Sequence, residues 1–493
     1  MVSKLYPSKY KRQIYIRRIK NFWIDFSHNK IGFVGVVIVT FFILLAVVGP
    51  LTTPYKPMSQ LYRPPKVAAS YAAPSWITIF PQYSDYNPTI NLTRSLNQTQ
   101  LANQTGTITA ELQNDKLIFS PTTRGENASI LIYLGNITYN YSPPPEFDLT
   151  FRGIIRFNGT LEFKTKIILV NYTTNPKWEK YLTGPNKIEA TLLTFSTKGL
   201  TTNVSTIKHN LPSVPAFPNI PEPAQTIFSE KGKYGVYVNI TFYSIDQGNY
   251  AELTLQGVGI VIWGRVHGIL GTNFHGCDVW TELVYGARIS LLVGLLSAIL
   301  ATTLGVIYGV ISGFLGGMID EFLMRVVDVL LCLPVLPILL VLSRLYSPNV
   351  YFIVVLIAIF GWQGLSRVIR SRVLSLKELA FIESAKASGA SESYIIWRHL
   401  IPNVIPIATA AMILAIPGAI ITEASLSFLG FGDPNASTWG RMMFWSRELG
   451  GFSRGAWWEW FVPGISITLL CVGFVFIGHA IDEIVNPRLR IRR

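Results

Sequence analysis

Between two strongly apolar runs, the chain carries a polar stretch that reads ESAKASG at residues 383–389 and RHLIPN at residues 398–403. Gly389 follows Glu383 by six residues, and Pro402 follows Gly389 by 13. Residues 383–388 are good helix formers with small side chains on one face, and Gly389 can adopt the positive φ that a turn between two helices needs. Pro402 is tolerated near a helix start. The stretch therefore predicts a short, rigid helical hairpin that leads into the next apolar run.

Composition indicates a membrane protein. Of 493 residues, 49% are hydrophobic and only 14% are charged, against about 25% charged in soluble domains. The formal net charge is +14, but no fold signature presents the basic residues to a nucleic-acid groove, so we expect no nucleic-acid partner. The three cysteines lack metal-ligand spacing, and we predict no metal site. Eight basic residues instead precede the first apolar run: Lys4, Lys9, Lys11, Arg12, Arg17, Arg18, Lys20 and Lys30.

Six apolar runs are candidates for crossing the bilayer, and the first, of about 21 residues, can span about 30 Å as a helix. The runs are Ile31–Leu51, Ile289–Phe314, Phe322–Leu342, Val350–Gly364, Val404–Ile421 and Phe461–Ala480. With the basic amino terminus inside, the positive-inside rule also places the loop after the fourth run and the carboxyl-terminal tail in the cytoplasm. Residues from about 54 to 284 then lie outside the cell.

The long external segment has the pattern of an all-β sandwich or barrel. Between residues 108 and 263, short runs rich in Ile, Val, Thr, Tyr and Phe alternate with period two and are separated by turn residues. Prolines at every third position, Pro212, Pro215, Pro218 and Pro221, predict a stiff polyproline II connector. Ten Asn-x-Ser/Thr sequons predict N-glycosylation: Asn91, Asn97, Asn103, Asn127, Asn136, Asn140, Asn158, Asn171, Asn203 and Asn239.

The domain organisation follows from these patterns. We predict a cytoplasmic basic segment at 1–30, a first transmembrane helix at 31–52, and an extracellular β-rich insert at 53–265. Residues 266–493 would form a core with five further transmembrane helices and a cytoplasmic loop at 370–402. The fold class is an α-helical polytopic membrane protein with six transmembrane helices and an inserted all-β extracellular domain.

The loop resembles the EAA loop of permease subunits of ABC importers, and its Arg-His-x-x-Pro-Asn ending is similar to the dipeptide/oligopeptide branch. Residues 17–55 resemble the amino-terminal segment of the C-type subunits, and EASLSFLGFG at 423–432, with Trp439-Gly440, resembles their external loop. Asn273 and Cys277 replace an aspartate and an arginine of that family. The resemblance assigns coupling to an ATPase to the following residues: Glu383, Ser384, Ala385, Gly389, Arg398, His399 and Pro402.

The resemblance implies a type I importer fold that works by alternating access. It also implies that this chain is not an enzyme and binds no cofactor, since ATP and Mg belong to partner ATPases. The partners implied are a second homologous permease, two ATPase subunits, an extracellular solute-binding protein and membrane lipid. The location implied is the plasma membrane, with both termini cytoplasmic. The large β insert has no counterpart in the usual pattern of the family.

Two questions stay open at the level of sequence. Arg325 and Asp328 are three apart, so they share a helix face and form a candidate intramembrane pair. The cargo, expected to be di- or oligopeptides, has an alternative in oligosaccharides. Archaeal members of the family that this chain resembles often carry sugars, and the low-cysteine, sequon-rich exterior resembles archaeal proteins. A surface glycoprotein with a structural or receptor role is a different class of function, but it leaves the EAA-like loop unexplained.

Overall fold

The computed structural model describes residues 26, 28–59, 61–173, 183, 186–198, 204–245, 250–346 and 349–485. The chain divides into two compact units, Lys66–Asp278 and a second unit made of Met1–Pro65 and Val279–Arg493. We call them the β unit and the helical unit. Most of the predicted basic segment at 1–30, the basic tail from residue 486 and the sequon at Asn203 lie outside the described residues.

Long apolar helices make up the helical unit. Four helical segments of the described chain are long and apolar enough to cross a membrane, and the number rises to six when two bent helix pairs each count as one span. The helices are α1 (Lys30–Val48), α2 (Val279–Leu315), α3 (Gly317–Cys332), α4 (Val335–Leu345), α5 (Val350–Ile359), α6 (Gln363–Lys377), α7 (Ala380–Ala387), α8 (Glu392–Ile395), α9 (Ile401–Phe428), α10 (Trp439–Glu448) and α11 (Trp457–Val485).

The third apolar run is not one straight helix. Helices α3 and α4 are bent by 83° at the break between them, which falls inside the predicted span Phe322–Leu342. The break contains Leu333 in an extended conformation, followed by Pro334. Proline has no N–H to donate and disfavours helical backbone in the residue before it, so an apolar run with this dipeptide in its middle ends one helix and begins another.

Close backbone approach holds the first and last helices of the helical unit together. A Cβ placed on Gly35 of α1 would lie 2.6 Å from the backbone oxygen of Gly473 in α11. The side chain of Asn29 accepts a hydrogen bond from the N–H of Gly32 at the start of α1 and donates one of 2.8 Å to Glu483 of α11. Small residues that let helices touch are the usual means of packing in lipid, where apolar contact alone gives no preference for a neighbouring helix.

The β unit is a sandwich of two antiparallel sheets. The strands are β1 (Ile90–Arg94), β2 (Gln100–Thr105), β3 (Ile108–Glu111), β4 (Lys116–Phe119), β5 (Asn127–Tyr139), β6 (Phe147–Asn158), β7 (Leu161–Asn171), β8 (Lys187–Ser196), β9 (Val204–Pro212), β10 (Gly232–Ser244) and β11 (Tyr250–Ile262). One sheet has the order β3-β4-β11-β6-β9, with β1 also paired to β11, and the other has the order β2-β5-β10-β7-β8. Period-two burial, clearest along β5, places the alternate apolar side chains in one core between the sheets.

The β unit begins and ends further along the chain than the predicted insert at 53–265. The reason is that residues 66–75 pair with residues 264–278 beneath the sandwich. The N–H of Val67 donates to the Gly276 oxygen at 2.8 Å, and the N–H of Ala73 donates to the Arg265 oxygen at 2.7 Å. The Thr272 hydroxyl donates to the Ala69 oxygen at 2.6 Å. Both segments therefore belong to the base of the β unit.

The prediction of a polyproline II connector over Pro212, Pro215, Pro218 and Pro221 is wrong. Residues Ser213–Ala216 form a helical turn directly after β9, and Pro223–Ile227 form another. Ala216, Phe217 and Ile220 are buried in the sandwich core. In a polyproline II helix, with three residues per turn, the adjacent residues 216 and 217 would lie on different edges, so a regular rod could not bury both side chains. Burial of apolar area therefore decides the local conformation.

Candidate coupling site

The predicted hairpin is present, and backbone capping defines its ends. Helix α7 ends in a Schellman motif, in which the N–H of Gly389 donates to the Lys386 oxygen and the N–H of Ala390 donates to the Ala385 oxygen. Gly389 has φ of +76°. The Ser391 side chain then accepts from the N–H of Tyr394 and starts α8. A single π-helical turn, Ile396–Leu400, joins α8 to α9, with Pro402 in the first turn of α9.

Three apolar side chains fasten the hairpin to the membrane helices. Ile382 of α7, Ile395 of α8 and Leu400 of the π turn are at most 1% exposed. They belong to one cluster with residues of three long helices: Val310 and Phe314 of α2, Ile369, Val373 and Leu376 of α6, and Val404 and Ala408 of α9. The hairpin is therefore packed onto these helices, and a force applied to it reaches α2, α6 and α9 through core contacts.

The opposite side of the hairpin is polar and aromatic. Glu383, Ser384 and Arg398 are exposed. Trp397 is 72% exposed, Tyr394 53% and Phe381 44%. Exposed aromatic side chains of this size, beside charged groups, are typical anchors of a protein–protein interface. Sequence reasoning missed these three aromatics, although aromatic residues within an otherwise polar segment are the signal that could have found them.

His399 organises the aromatic side of the hairpin. Its ring lies 5.9 Å from the Phe381 ring and 5.7 Å from the Tyr394 ring, between centroids. Its backbone oxygen accepts a hydrogen bond of 2.7 Å from the Asn403 side chain. The geometry gives His399 a packing role, since it brings an aromatic of α7 and one of α8 to the same patch. We call Phe381, Tyr394, Trp397 and His399 the aromatic patch.

A stripe of glycines joins α2 to α6, the helix that leads into the hairpin. Cβ atoms placed on Gly305, Gly309 and Gly313 would lie 3.0, 2.6 and 2.9 Å from the backbone oxygens of Trp362, Ser366 and Arg370. The spacing of four residues puts the three glycines on one face of α2. Such contact of backbone with backbone leaves little room for sliding, so α2 and α6 behave as one body.

Ion pairs fasten α3 to the same body. Arg370 of α6 binds Asp320 of α3 in a bidentate manner, with both N···O distances 2.5 Å, and Asp320 also accepts from Ser312 of α2. Two turns further along α3, Asp328 pairs with Arg367 of α6. Planar guanidinium–carboxylate pairs of this kind fix orientation as well as distance. Sequence analysis did not identify these partners, because the two pairs are 50 and 39 positions apart along the chain, and helical spacing cannot pair residues so distant.

The candidate pair Arg325–Asp328 has a looser geometry. The Arg325 guanidinium lies 4.0 Å from Asp328 and 3.7 Å from Glu321. Its side chain is 73% exposed, and Asp328 directs its other oxygen at Arg367. Asp328 therefore bridges α3 and α6, while Arg325 stays at the margin of that contact.

The external-loop motifs fold against α2. The Trp439 side chain is fully buried and its Nε1–H donates to the Leu283 oxygen at 2.9 Å. Glu282 accepts from the N–H of Met58 and from the Ser437 hydroxyl. A Cβ on Gly440 would lie 2.4 Å from the Ala424 oxygen of α9. The segments that resemble the family are thus the ones that connect α2, α9 and α10.

The predicted glycosylation sites differ in exposure. Asn171 is only 2% exposed, and its side-chain oxygen accepts from the N–H and the hydroxyl of Thr173. A glycan on Asn171 would require this buried turn to open, so the geometry removes it from the candidates. Asn239 is half-buried and the others that the structure describes are exposed: Asn91, Asn97, Asn103, Asn127, Asn136, Asn140 and Asn158.

Two family models match the chain. Residues 305–491 match the inner membrane component of binding-protein-dependent transport systems. Residues 18–74 match the N-terminal transmembrane domain of oligopeptide transport permease C. The hairpin and its seat on α6 and α9 lie inside the first match, and α1 lies inside the second. The sandwich strands, from residue 90 to residue 262, lie between the two matched segments.

Curated relatives match a large share of their own length. The dipeptide transport system permease protein DppC of Bacillus subtilis is 38% identical over 222 residues, which cover 45% of this chain and 68% of the relative. A putative peptide permease protein of Brucella suis is 36% identical over 222 residues, 45% of this chain and 73% of the relative. A putative peptide transport system permease protein, also of Brucella suis, is 32% identical over 224 residues, which cover 45% of this chain and 74% of the relative. The chain therefore belongs to the dipeptide/oligopeptide permease family of binding-protein-dependent ABC importers.

Proposed function

We propose that this chain is one membrane-spanning permease subunit of an ATP-driven importer of di- or oligopeptides. The hairpin Ala380–Leu400 carries the proposal, because one side is fastened to α2, α6 and α9 and the other presents exposed aromatics beside charges. The relatives support the cargo, since their names refer to dipeptide or peptide transport.

The chemistry of ATP hydrolysis would lie in partner chains. We place ATP and Mg on two ATPase subunits, which bind the hairpins of this chain and of a second homologous permease. An extracellular solute-binding protein would deliver the peptide. The positive-inside rule supports cytoplasmic termini and a cytoplasmic hairpin, since basic residues cluster before α1, around the hairpin and in the tail. The β unit would then lie outside the cell.

The contacts of the hairpin suggest how motion reaches the membrane. Closure of the ATPases would move the aromatic patch, and the buried Ile382, Ile395 and Leu400 would carry α6 and α9 with it. Helix α2 would follow α6 because of the glycine stripe, and α3 would follow through Asp320 and Asp328. Packed elements of this kind move as rigid bodies, which is the motion that alternating access requires.

Purification of the full-length chain from its native host in mild detergent, followed by mass spectrometry, tests this function. We expect P-loop ATPases, a second permease and a solute-binding protein to copurify. Trp397→Ala removes the most exposed aromatic of the patch and should lower ATPase recovery about tenfold, as loss of an interface anchor does. Trp76→Ala, at an exposed tryptophan of the β unit, is the matched control and should leave the recovery of ATPases unchanged.

Two results would contradict the proposal. Copurification of envelope proteins without any ATPase would reject the importer function. Equal ATPase recovery from the wild-type chain and from Trp397→Ala would reject the aromatic patch as the contact. The binding protein that copurifies also supplies the cargo assay, in which binding of peptides but not of saccharides is expected.

A further inference from the structure

A cluster of three tyrosines lies on the outer face of the five-stranded sheet, in the β unit. Tyr133 of β5 and Tyr237 of β10 are cross-strand partners, with ring centroids 5.0 Å apart and ring planes at 42°. Tyr172 follows β7 directly, and its hydroxyl oxygen lies 3.0 Å from that of Tyr237. We call these residues the tyrosine platform. Transport by the helical unit gives this surface no role.

The platform is preformed. Asn171 is buried and accepts two hydrogen bonds from Thr173, which fixes the turn that carries Tyr172. Gly235 of β10 lies under the Tyr172 ring, because a Cβ there would lie 2.5 Å from its hydroxyl oxygen. The hydrogen bond to Tyr237 raises the pKa of Tyr172 to about 12. Tyr172 is nevertheless 50% exposed, and its free face is open to a ligand.

One predicted glycosylation site shares the strand and the face of Tyr237. Val238 and Ile240 are buried in the core, so Tyr237, Asn239 and Thr241 all point to the outer face. Two positions along a strand are about 7 Å apart. The sequon Asn239-Ile240-Thr241 therefore starts one side-chain row away from the platform, which is within reach of the first sugar rings of a linked glycan.

A second site borders the platform on the neighbouring strand. Asn136 faces Gly235, and a register shift between Val236 and Tyr237 lets Tyr133 and Asn136 share the outer face although they are three positions apart. The Asn136 side chain forms a hydrogen bond to Tyr133. The sequon ends at Thr138, which is also exposed. The two sequons thus lie on either side of the Tyr133–Tyr237 pair.

Two other exposed tyrosines of the sandwich are direct cross-strand partners of sequon asparagines. Tyr243 faces Asn127 across β10 and β5, and Tyr250 faces Asn158 across β11 and β6. The apolar faces of sugar rings pack on aromatic rings, while tyrosine hydroxyls supply hydrogen bonds at the edge. We propose that the tyrosine platform is a carbohydrate-packing site, and that the glycans linked to Asn136 and Asn239 occupy it.

The threonines of the two sequons allow a test that leaves both asparagines in place. In full-length protein from the native host, Thr138→Ala with Thr241→Ala abolishes both acceptor sites, whereas Thr138→Ser with Thr241→Ser keeps them. Glycopeptide mass spectrometry should find sugar on Asn136 and Asn239 in the wild-type and serine forms only. Amide hydrogen exchange along β5 and β10 should be faster in the alanine form by roughly three- to tenfold, the range that aromatic packing energies imply.

A Tyr237→Ser background separates packing from mere attachment. In the Tyr237→Ser background, loss of the two sequons should no longer change the amide hydrogen-exchange rate along β5 and β10. In a Tyr237→Phe background, which keeps the ring, loss of the sequons should raise the rate as it does in the wild-type chain. Tyr133→Ser serves the same purpose should Tyr237→Ser not fold. Unmodified asparagines would overturn the proposal, as would an equal effect of the alanine substitutions with and without the tyrosine ring. Asn97, in a turn outside both sheets, is the internal reference for occupancy.

Discussion

Glycine serves two different purposes in the helical unit, and Gly389 and Gly309 illustrate them. Gly389 is needed for its backbone angle, since φ is +76° and a Cβ there would meet no atom within 4 Å. Gly309 is needed for the lack of a side chain, since a Cβ would lie 2.6 Å from the Ser366 oxygen. The spacing around Gly389 made its role predictable. The role of Gly309 depends on α6, more than 50 positions away, and was not predicted.

Replacement of Gly389 should therefore strain the hairpin without a steric clash. We expect Gly389→Ala to destabilise the turn by about 1 kcal/mol, the usual cost of a left-handed conformation for a residue with a Cβ. Hydrogen exchange of residues 380–400 in the detergent-purified chain should rise about fivefold. Gly389→Asn is the matched control, because asparagine tolerates this conformation better, and it should show a smaller rise. Equal exchange in the alanine and asparagine variants would contradict the backbone argument.

At the scale of elements, periodicity predicted most of the secondary structure but not where elements break or pair. The strands β4, β5, β6, β7, β8, β10 and β11 fall within the segment 108–263, where alternating runs were predicted, because a half-buried strand must alternate. The short edge strand β2 was missed, since all six of its residues are exposed and no alternation marks it. The bend between α3 and α4 was missed because an apolar count does not register the conformational effect of Pro334.

The contact between α3 and α6 is an element-scale feature whose charges can be exchanged. The Asp320 side chain is 13% exposed and the Arg370 side chain is 33% exposed. Reversing either charge alone therefore places two partly buried charges of the same sign next to each other. We expect Asp320→Arg or Arg370→Asp alone to destabilise the helical unit by about 2 kcal/mol, between the values for surface and buried pairs. The double exchange should recover much of this loss. Thermal unfolding in detergent measures the stability of each variant. Peptide-stimulated ATPase activity of the copurified complex provides a second measurement.

Arg325→Ala provides the control for that exchange. Arg325 lies on the same helix, but its guanidinium is 4.0 Å from Asp328 and mostly exposed. Arg325→Ala should change the free energy of unfolding of the helical unit by less than about 0.5 kcal/mol, because exposed ion pairs contribute little to stability. A double exchange that is no more stable than the single variants, or an Arg325→Ala variant as damaged as they are, would show that α3 and α6 do not depend on this pair.

In the molecule as a whole, the chain enters and leaves the sandwich at neighbouring positions. The first strand, β1, pairs with the end of the last strand, β11, so that Ile90 faces Ile262. Below this pair, the Thr89 hydroxyl accepts from the N–H of Gly264 at 3.1 Å. A domain with adjacent ends can be inserted into an existing loop at little cost in closure entropy. This arrangement explains how a family permease accommodates so large an addition.

Excision of the sandwich tests that account. We expect a chain in which a two-residue Asn-Gly turn replaces residues 92–260 to keep the helical unit folded, since Asn-Gly suits a tight connection between paired strands. The shortened chain should enter the membrane, unfold in detergent at the wild-type temperature and recover the same ATPases. The control joins residues 58 and 279, which also removes the base segments 66–75 and 264–278. Loss of the fold in both chains would mean that the helical unit needs the sandwich itself.

The amino-acid sequence was enough to predict the family, the membrane character, the hairpin at residues 380–400 and the all-β nature of the insert. Each depends on residues close together along the chain: apolar runs, period-two alternation, and the spacing of Glu383, Gly389 and Pro402. Other features became visible only once the chain was folded. They are the partners of Asp320 and Asp328, the glycine contact of α2 with α6, the burial of Asn171 and the grouping of Tyr133, Tyr172 and Tyr237. These features join residues distant in sequence, and their geometry is set by how the helices and sheets pack, which local propensity does not encode.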